Sequence, residues 1–427
     1  MAKVIIIGGG WSGCAAAITA KKAGAETIIL EKTDLLLGLG NIGGIMRNNG
    51  RFTAAEELKV LGAPELIEIT DKAARHANIE FPGHKHATLY DVTKVEPMVQ
   101  QKLEEMGIEI KFESRAIDVK QCGKKIEGIL LADGSLIEGD VFIETTGSTG
   151  PMGNCLRYGN GCSMCILRCP SFGPRISISQ RAGIEDLLGQ RGDALYGAYS
   201  GSCKIHKESL HEDIVKELNE KGVVVLPVPE EDVNLDKLNL KVCQQYALKE
   251  FAENIVLLDT GYAKLMTSYY PLKKLRKIPG MEYARYDDPY SGGKGNSIRY
   301  LSMAPCANNL KVKGLDNLLC AGEKAGLYVG HTEAIATGSL AGYNSVRLYL
   351  GMPLLELPAS TAIGDIISFA NEMMGNTEGM KNRYTFAGGA YFNRMQEKGL
   401  YTVNKDEITS RIKRLGLEDI FADKLLK

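Results

Sequence analysis

Hydrophobic positions at the start of the chain come in blocks rather than in alternation. Val4-Ile5-Ile6-Ile7 is one unbroken apolar run, and Thr27-Ile28-Ile29-Leu30 is another. Such runs predict strands buried on both faces, as in a parallel sheet. Residues 14–23 between them are rich in alanine and predict a helix. Residues 115–144 behave differently. AIDVKQC, KIEGILL and SLIEGD are separated by turn residues, Asp133-Gly134 among them, and predict an antiparallel meander that leads into VFIETTG. The buried-strand pattern returns at Leu318-Leu319-Cys320, and a small-residue helix follows over 331–350.

Helical periodicity appears at 64–77 and 91–107. Between the two parts of the strand pattern, RISIS (175–179) and VVVLP predict strands, and residues 210–222 and 238–254 predict helices. Residues 351–427 read as helical, with Asn404 to Glu407 resembling a capping box. The predicted class is α/β. A first domain is made of residues 1–150 and 300–350, an α+β domain of residues 151–299 is inserted into it, and a helical region of residues 351–427 ends the chain. There is no internal repeat and no low-complexity linker.

The junction of the first strand and helix carries the first candidate chemistry. Gly8-Gly9-Gly10-Trp11-Ser12-Gly13 has GxGxxG spacing, and Glu31 ends the second strand. Gly8 permits a tight turn, Gly10 lets the backbone approach a pyrophosphate, and Gly13 lets helix and strand pack closely. The helix N-terminus offers unpaired N–H groups to the phosphates, with Trp11 and Ser12 in its first turn. Glu31 can accept a hydrogen bond from a ribose 2′-hydroxyl and would repel a 2′-phosphate; Lys32 adjoins it. The plainer reading is a glycine turn in an unrelated α/β unit. The stretch LGLGNIGGIMRNNG (37–50) is rich in glycine and asparagine, which suits close approach to a long cofactor and places Asn41, Gly43, Gly44 and Arg47 beside it. Arg47 would bind an anionic substrate or a flavin edge, or only cap a turn.

These residues carry a resemblance. GGGWSG with Glu31, TTG at 145–147 and AGE followed by a helix at 321–342 resemble the FAD-binding fold of the two-dinucleotide-binding-domain flavoproteins. AGEKAGLYVGHTEAIATGSLAG is similar to the matching segment of the glucose-inhibited division protein A family and of the folate- and FAD-dependent tRNA uracil methyltransferases. The stretches GGIMRNNGRFTAAEE and GNGCSMCILRCPSFGPR resemble a group of anaerobe flavoproteins described only as FAD-dependent oxidoreductases. The resemblance implies a Rossmann-like FAD-binding domain and FAD as cofactor. It implies that Glu31 holds the adenosine ribose and that Thr146 and Gly147 line the cofactor. Gly322 and Glu323 would approach the ribityl chain, where the superfamily usually has Asp. Gly330, Thr332 and Glu333 belong to the start of the 331–350 helix, whose partial positive charge would face the flavin N1–C2=O edge and stabilise the reduced ring. His331 begins that helix and is the candidate general acid.

No second GxGxxG follows; GSTGPMG (147–153) has the wrong spacing and context. Electrons would therefore reach a flavin from transiently bound NAD(P)H, from a protein donor or through a metal centre. Cys155, Cys162, Cys165 and Cys169 fall within fifteen residues, and Pro170 follows the last. Cys162-x2-Cys165-x3-Cys169-Pro matches the later part of a bacterial ferredoxin run, with Cys155, Cys203 or Cys306 available to complete it. Iron–sulfur is favoured over zinc because a flavin passes electrons singly. A redox-active Cys162/Cys165 pair and a set of buried small hydrophobes remain alternatives. Cys14 and Cys122 read as core residues. His84 and His86, two apart in a strand, would share one face and suit a pocket or a metal, or be ordinary loop histidines.

Composition changes the picture little. Net charge is −1, so no global field draws the chain to nucleic acid or anionic membrane. A local patch at 262–286 (Tyr269, Tyr270, Lys273, Lys274, Arg276, Lys277) suits RNA, although KKLRK is more often a solvated face. Glycines break the apolar start, which argues against a signal peptide, and no segment has 18 apolar residues. The expectation is a cytoplasmic FAD-dependent oxidoreductase that exchanges electrons between flavin and the cysteine centre. Its partner would be a small-molecule or protein electron donor or acceptor, and homo-oligomerisation stays open. The alternative is a flavin-dependent transferase acting on uridine in RNA.

Overall fold

The computed structural model describes residues 2–147, 171–190, 198–199, 202–239, 241, 243–267, 270–287, 298–299 and 302–426. Strand β1 (Lys3–Ile7) turns through the glycines into helix α1 (Trp11–Lys22) and returns as β2 (Glu26–Leu30). Strand β3 (Glu109–Lys111) adds outside β2, while β4 (Val141–Glu144) and β5 (Leu318–Cys320) add beyond β1. The sheet order is β5-β4-β1-β2-β3, and every pairing is parallel. The apolar runs fill its centre: Val4, Ile5 and Ile6 are fully buried, as are Phe142, Ile143, Leu318 and Leu319. The chain leaves this sheet after Glu144 and rejoins it at Leu318, so the sheet is built from two separated stretches of the chain.

Three more helices build the frame. Helix α2 (Gly50–Val60), helix α3 (His331–Tyr349) and helix α4 (Ala362–Met374) pack into the same core as the sheet. α3 lies directly on α1: Thr19 Oγ1 donates to Ser339 O at 2.9 Å, and a Cβ on Gly338 would come to 2.9 Å from Ala15 Cβ. Small residues on both helices bring the backbones together. The meander forms as Ala116–Cys122, Lys125–Leu131 and Leu136–Glu138, and Asp133 Oδ1 accepts from Ser135 N in its turn.

The insert contributes a four-stranded antiparallel sheet, in the order Cys203–Ile205, Ala263–Leu265, Asn254–Asp259 and Val223–Pro227. One face packs on helix Glu212–Lys221 through Ile205, Ile214, Leu218 and Leu265. The other face, with Val256, Leu258 and Met266, packs on Ile45, Phe81, Ala87 and Leu89. Those four residues belong to a second antiparallel sheet of Ile45–Met46, His84–Tyr90 and Ala74–Phe81. The two sheets together wall one side of the groove described below.

Several elements depart from the sequence pattern for identifiable reasons. RISIS is not a strand: Ile178 N and Ser179 N donate to the Glu144 carboxylate, Ser177 caps Gln180 N, and residues Ile178–Arg181 turn helical. The 238–254 helix is replaced by short turns at Asp236–Asn239, Gln244–Tyr246 and Glu250–Glu253. Its backbone is engaged elsewhere, Gln245 O with His84 Nε2 and Cys243 with Arg383. The 64–77 helix stops at Lys72 because Ala74 begins a strand. Residues 351–426 are not a separate tail: Phe386, Tyr391, Ile412 and Phe421 lie in the main core. Among the described residues no helix is long and apolar enough to cross a membrane.

Candidate functional site

The turn between β1 and α1 is built for close backbone approach. Gly8 has φ +106°, and a Cβ there would lie 2.7 Å from Thr145 O. A Cβ on Gly13 would overlap the Gly8 carbonyl and come to 2.9 Å from Thr145 Oγ1. These two glycines serve the protein's own packing. Gly10 differs: a Cβ there would meet nothing within 4 Å, and its backbone is one any residue adopts. Gly10 caps α1 with no side chain, so the first-turn N–H groups face open space with the partial positive charge of the helix behind them.

Glu31 closes the turn from the end of β2. Its Oε2 accepts from Gly9 N at 2.8 Å, and its Oε1 accepts from Thr33 N and Thr33 Oγ1, both at 2.9 Å. A carboxylate has about four acceptor sites, so one remains for a ligand hydroxyl. On the opposite side, Thr146 Oγ1 donates to Glu144 Oε1 at 3.0 Å, and Arg175 Nη1 donates to Thr146 O at 2.8 Å. Lys324 Nζ binds Asp186 and Ser177 beneath them, so a buried polar network fixes this wall.

A long groove with about 1760 Å³ of empty space, part of it open to solvent, runs past these groups. Glu31, Lys32, Ser114 and Arg115 line one end, and Gly8, Gly10, Trp11, Ser12, Thr146 and Gly147 line the middle. Gly43, Glu323, Gly330, His331, Lys264, Gln245 and Tyr246 line the other end. Among the described residues, Gln245 Oε1 is a buried polar atom of this lining with no hydrogen-bond partner. Buried polar atoms are nearly always paired, so it suits a polar ligand. An uncapped helix N-terminus, an acid one strand away and open space over Gly10 together fit an adenine dinucleotide.

The far end is set by the start of α3. Gly330 precedes it at φ +133° and gives no side-chain cap. Tyr90 Oη donates to Gly40 O at 2.8 Å and lies 3.0 Å from His331 Nδ1. The phenol has one proton and gives it to Gly40, so it accepts from His331 Nδ1–H, and Nε2 is the basic nitrogen of the neutral ring. Burial pushes the Tyr90 phenol well above its ordinary range, so it stays protonated in this role. A Cβ on Gly43 would overlap the His331 ring, which explains that glycine locally. Beneath, Arg51 Nε donates to both Glu333 oxygens at 3.1 Å, and Thr385 Oγ1 and Phe386 N also donate to Glu333 Oε1.

The family model of glucose inhibited division protein A matches residues 3–253 and 253–353. The chain belongs to this family. Its fold is that of GidA from Aquifex aeolicus, with TM-scores of 0.72 and 0.69 in two crystal forms, at 16% and 15% identity, covering 100% of this chain and 74% and 76% of those chains. Among curated relatives, methylenetetrahydrofolate–tRNA-(uracil-5-)-methyltransferase TrmFO of Microcystis aeruginosa is 36% identical over 94 residues, 22% of this chain and 20% of that protein. The Synechocystis TrmFO is 48% identical over 94 residues, again 22% and 20%. The matched stretch thus spans about a fifth of the length of these relatives. As a glucose inhibited division protein A family member, the chain is a flavoprotein of an FAD-dependent enzyme family, and the groove fits that cofactor.

Within this family member the residues expected at the cofactor divide into two groups. Gly8, Gly10, Trp11, Ser12, Glu31, Lys32, Gly43, Thr146, Gly147, Glu323, Gly330 and His331 line the groove. Others act on the protein instead. Arg47 is spent on an ion-pair cluster, with Nε and Nη2 each 2.7 Å from Asp71 and Nη1 2.6 Å from Glu56. Thr332 Oγ1 contacts Met46 Sδ at 3.1 Å, and Glu333 is the carboxylate that neutralises Arg51. Asn41 Nδ2 ties Leu36 O and Gly38 O, Gly44 packs on Thr260, and Gly322 packs on Ser12. Gly13 supports the turn from behind.

The histidine pair separates because His86 takes φ +60° in a bulged strand. His84 is buried between Asn48 Nδ2 and Gln245 O, and burial pulls its pKa down to about 3. His86 pairs with Asn78 near the surface. Cys14 is core, as its position in α1 implies, with its thiol on Gly9 O. Cys122 is exposed, because its strand ends in an open turn at Gly123. Cys155, Cys162, Cys165 and Cys169 lie outside the described residues. Among the described residues no cluster of metal-ligating side chains occurs. The groove residues Arg115, Lys264, Gln245 and Tyr246 lie in no sequence motif, and Arg51 and Arg175 carry no assigned role within the stretches that carry the resemblance; the fold brings them together.

Proposed function

We propose that this chain is an FAD-dependent enzyme that modifies uridine in RNA, with its reacting centre at the His331 end of the groove. The observation that carries the reading is a groove with two uncapped helix N-termini along it and an acid at its sugar end. The RNA substrate is supported by the stretch shared with proteins named as tRNA uracil methyltransferases. FAD, when bound, supplies two-electron redox chemistry. Glu31 would hold ribose hydroxyls, the first turn of α1 the pyrophosphate, and Glu323 the sugar-alcohol chain. His331, held by Tyr90 in one tautomer, is placed to take or give a proton at Nε2. Lys273, on the short helix Leu272–Leu275, and Lys277, in the turn after it, are exposed and would meet phosphates.

The test is direct. FAD-loaded protein given a reductant, methylenetetrahydrofolate and a tRNA transcript should yield methylated uridine. A reducible flavoprotein that forms no modified uridine and fails to shift tRNA at low salt would end the reading.

A second reading is favoured by the Cys162-x2-Cys165-x3-Cys169-Pro spacing. Here the chain is a cytoplasmic oxidoreductase. A small-molecule or protein donor reduces the flavin, and electrons pass to an iron–sulfur or thiol centre. Anaerobic purification with iron and sulfide analysis separates the two readings. Near-stoichiometric iron lost in Cys165→Ser supports the relay; iron-free protein with unchanged redox behaviour in that variant opposes it.

A further inference from the structure

We propose that Lys264 holds a positive charge against the His331 end of the groove and stabilises the two-electron-reduced cofactor there in its anionic form. The inference rests on the reading of this groove as the FAD site. Ala263 and Leu265 point into the insert's own core, so the strand's period of two puts Lys264 on the opposite face. On that face Val256, Leu258 and Met266 pack on Ile45 and Leu89, and Lys204 stands opposite Lys264 in the neighbouring strand, paired with Asp287. Lysine is almost never buried without a purpose that offsets its desolvation, yet Lys264 is 4% exposed.

Its ammonium is held in place from two sides. Nζ donates to Ile42 O at 2.9 Å and to Ser202 Oγ at 2.6 Å. Ile42 adjoins Gly43, which lies against the His331 ring at the start of α3. Lys264 and the N-terminus of α3 therefore meet at one end of one groove, and both residues line it. The other charged or titratable groups here are His331 with Tyr90, Arg51 with Glu333, Glu323 and Tyr246, and on the strand beside Lys264, Lys204 with Asp287. Arg51 is neutralised by Glu333. In a site of low dielectric, a fixed ammonium and a helix N-terminus favour a negative charge on whatever lies between them. FAD reduced here would take two electrons from the donor and one proton, and the second proton would stay in solvent.

The experiment uses full-length protein loaded with FAD, with midpoint potentials measured against reference dyes under anaerobic conditions. In the wild type the potential should fall by about 30 mV per pH unit around neutrality, the slope for one proton per two electrons. Lys264→Met should bind FAD yet weaken the reduced form relative to the oxidised form by about tenfold, or about 30 mV. Lys264→Arg should recover most of that shift. Sulfite, which adds to oxidised flavin and leaves an anion, should bind the Met variant about tenfold less tightly. A Met variant with full FAD content and an unchanged potential overturns the inference. So does a wild-type slope of about 60 mV per pH unit, two protons per two electrons; this measurement stands even if the Met variant does not fold. Wild-type protein that takes up no FAD sinks the reading of the groove itself.

Discussion

Gly10 and Gly13 stand in one turn and answer to different constraints. Gly10 sits at φ −69° and ψ −179°, and a methyl group on it would meet no protein atom within 4 Å. Gly10→Ala leaves the protein unstrained and narrows the unfolded ensemble, which should stabilise the FAD-free form by about 0.4–1 kcal/mol. The methyl would stand where the backbone reaches a pyrophosphate. Losing one hydrogen bond to a charged group costs about 1.5–3 kcal/mol, so FAD should bind about 10- to 150-fold more weakly. Gly13→Ala meets the opposite situation. A helix gains about 1 kcal/mol from the change, but this methyl would overlap the Gly8 carbonyl and press Thr145 Oγ1 at 2.9 Å. Thr145 Oγ1 is anchored on Ile7 O at 3.0 Å and Gly8 O at 2.6 Å, so neither neighbour can yield. Overpacking of this kind costs about 1–3 kcal/mol or more, and the FAD-free form should lose stability. Trp11 is the one tryptophan of the chain and lines the groove, so its fluorescence reports both urea unfolding and FAD titration. If Gly10→Ala bound FAD as tightly as the wild type, or destabilised the FAD-free form as much as Gly13→Ala, the account of this turn would be wrong.

Other perturbations follow from the same geometry. His84 titrates at about 3 folded, against an ordinary value of 6.5. A depressed folded pKa means that stability is full above 6.5 and is lost as pH falls toward 3; between pH 7.5 and 5 the loss is about 2 kcal/mol. Urea midpoints across that range should show it, and His84→Asn should flatten it. Arg51→Met would strand the buried Glu333 carboxylate, a loss of about 3–5 kcal/mol; an unfolding midpoint equal to wild type would refute the pairing. Nitrogen NMR should find neutral His331 protonated at Nδ1, and Tyr90→Phe should mix the tautomers. A wild-type ring protonated at Nε2 would contradict the Tyr90 bond.

The parallel sheet was legible because its strands are continuous apolar runs, and the glycine turn because its spacing has few other physical uses. The start of α3 was legible as a small-residue helix. What escaped was set by tertiary partners. RISIS has a strand's alternation, but the buried Glu144 carboxylate binds two of its N–H groups and turns it helical. Arg47 and Arg51 sit four apart in the same glycine-rich stretch, and nothing local says that one meets Asp71 and the other lines the groove. Lys264 lies in AKL, where only the pairing of two sheets reveals that its face is covered. Motifs that bind a cofactor through backbone are written locally; side chains that meet it from across the fold are not.

The start of α3 is braced by two distant stretches that meet on its own Glu333, Arg51 from α2 and Thr385 with Phe386 from the segment after α4. A growing polypeptide meets these in order, so the early turn waits, half walled, while more than three hundred further residues are made. Only after roughly residue 390 has left the ribosome can the last brace drop in. FAD uptake in the cell should thus be a late, nearly post-translational event, and a chain stalled before that point would carry the nucleotide turn without the means to shut the pocket behind it.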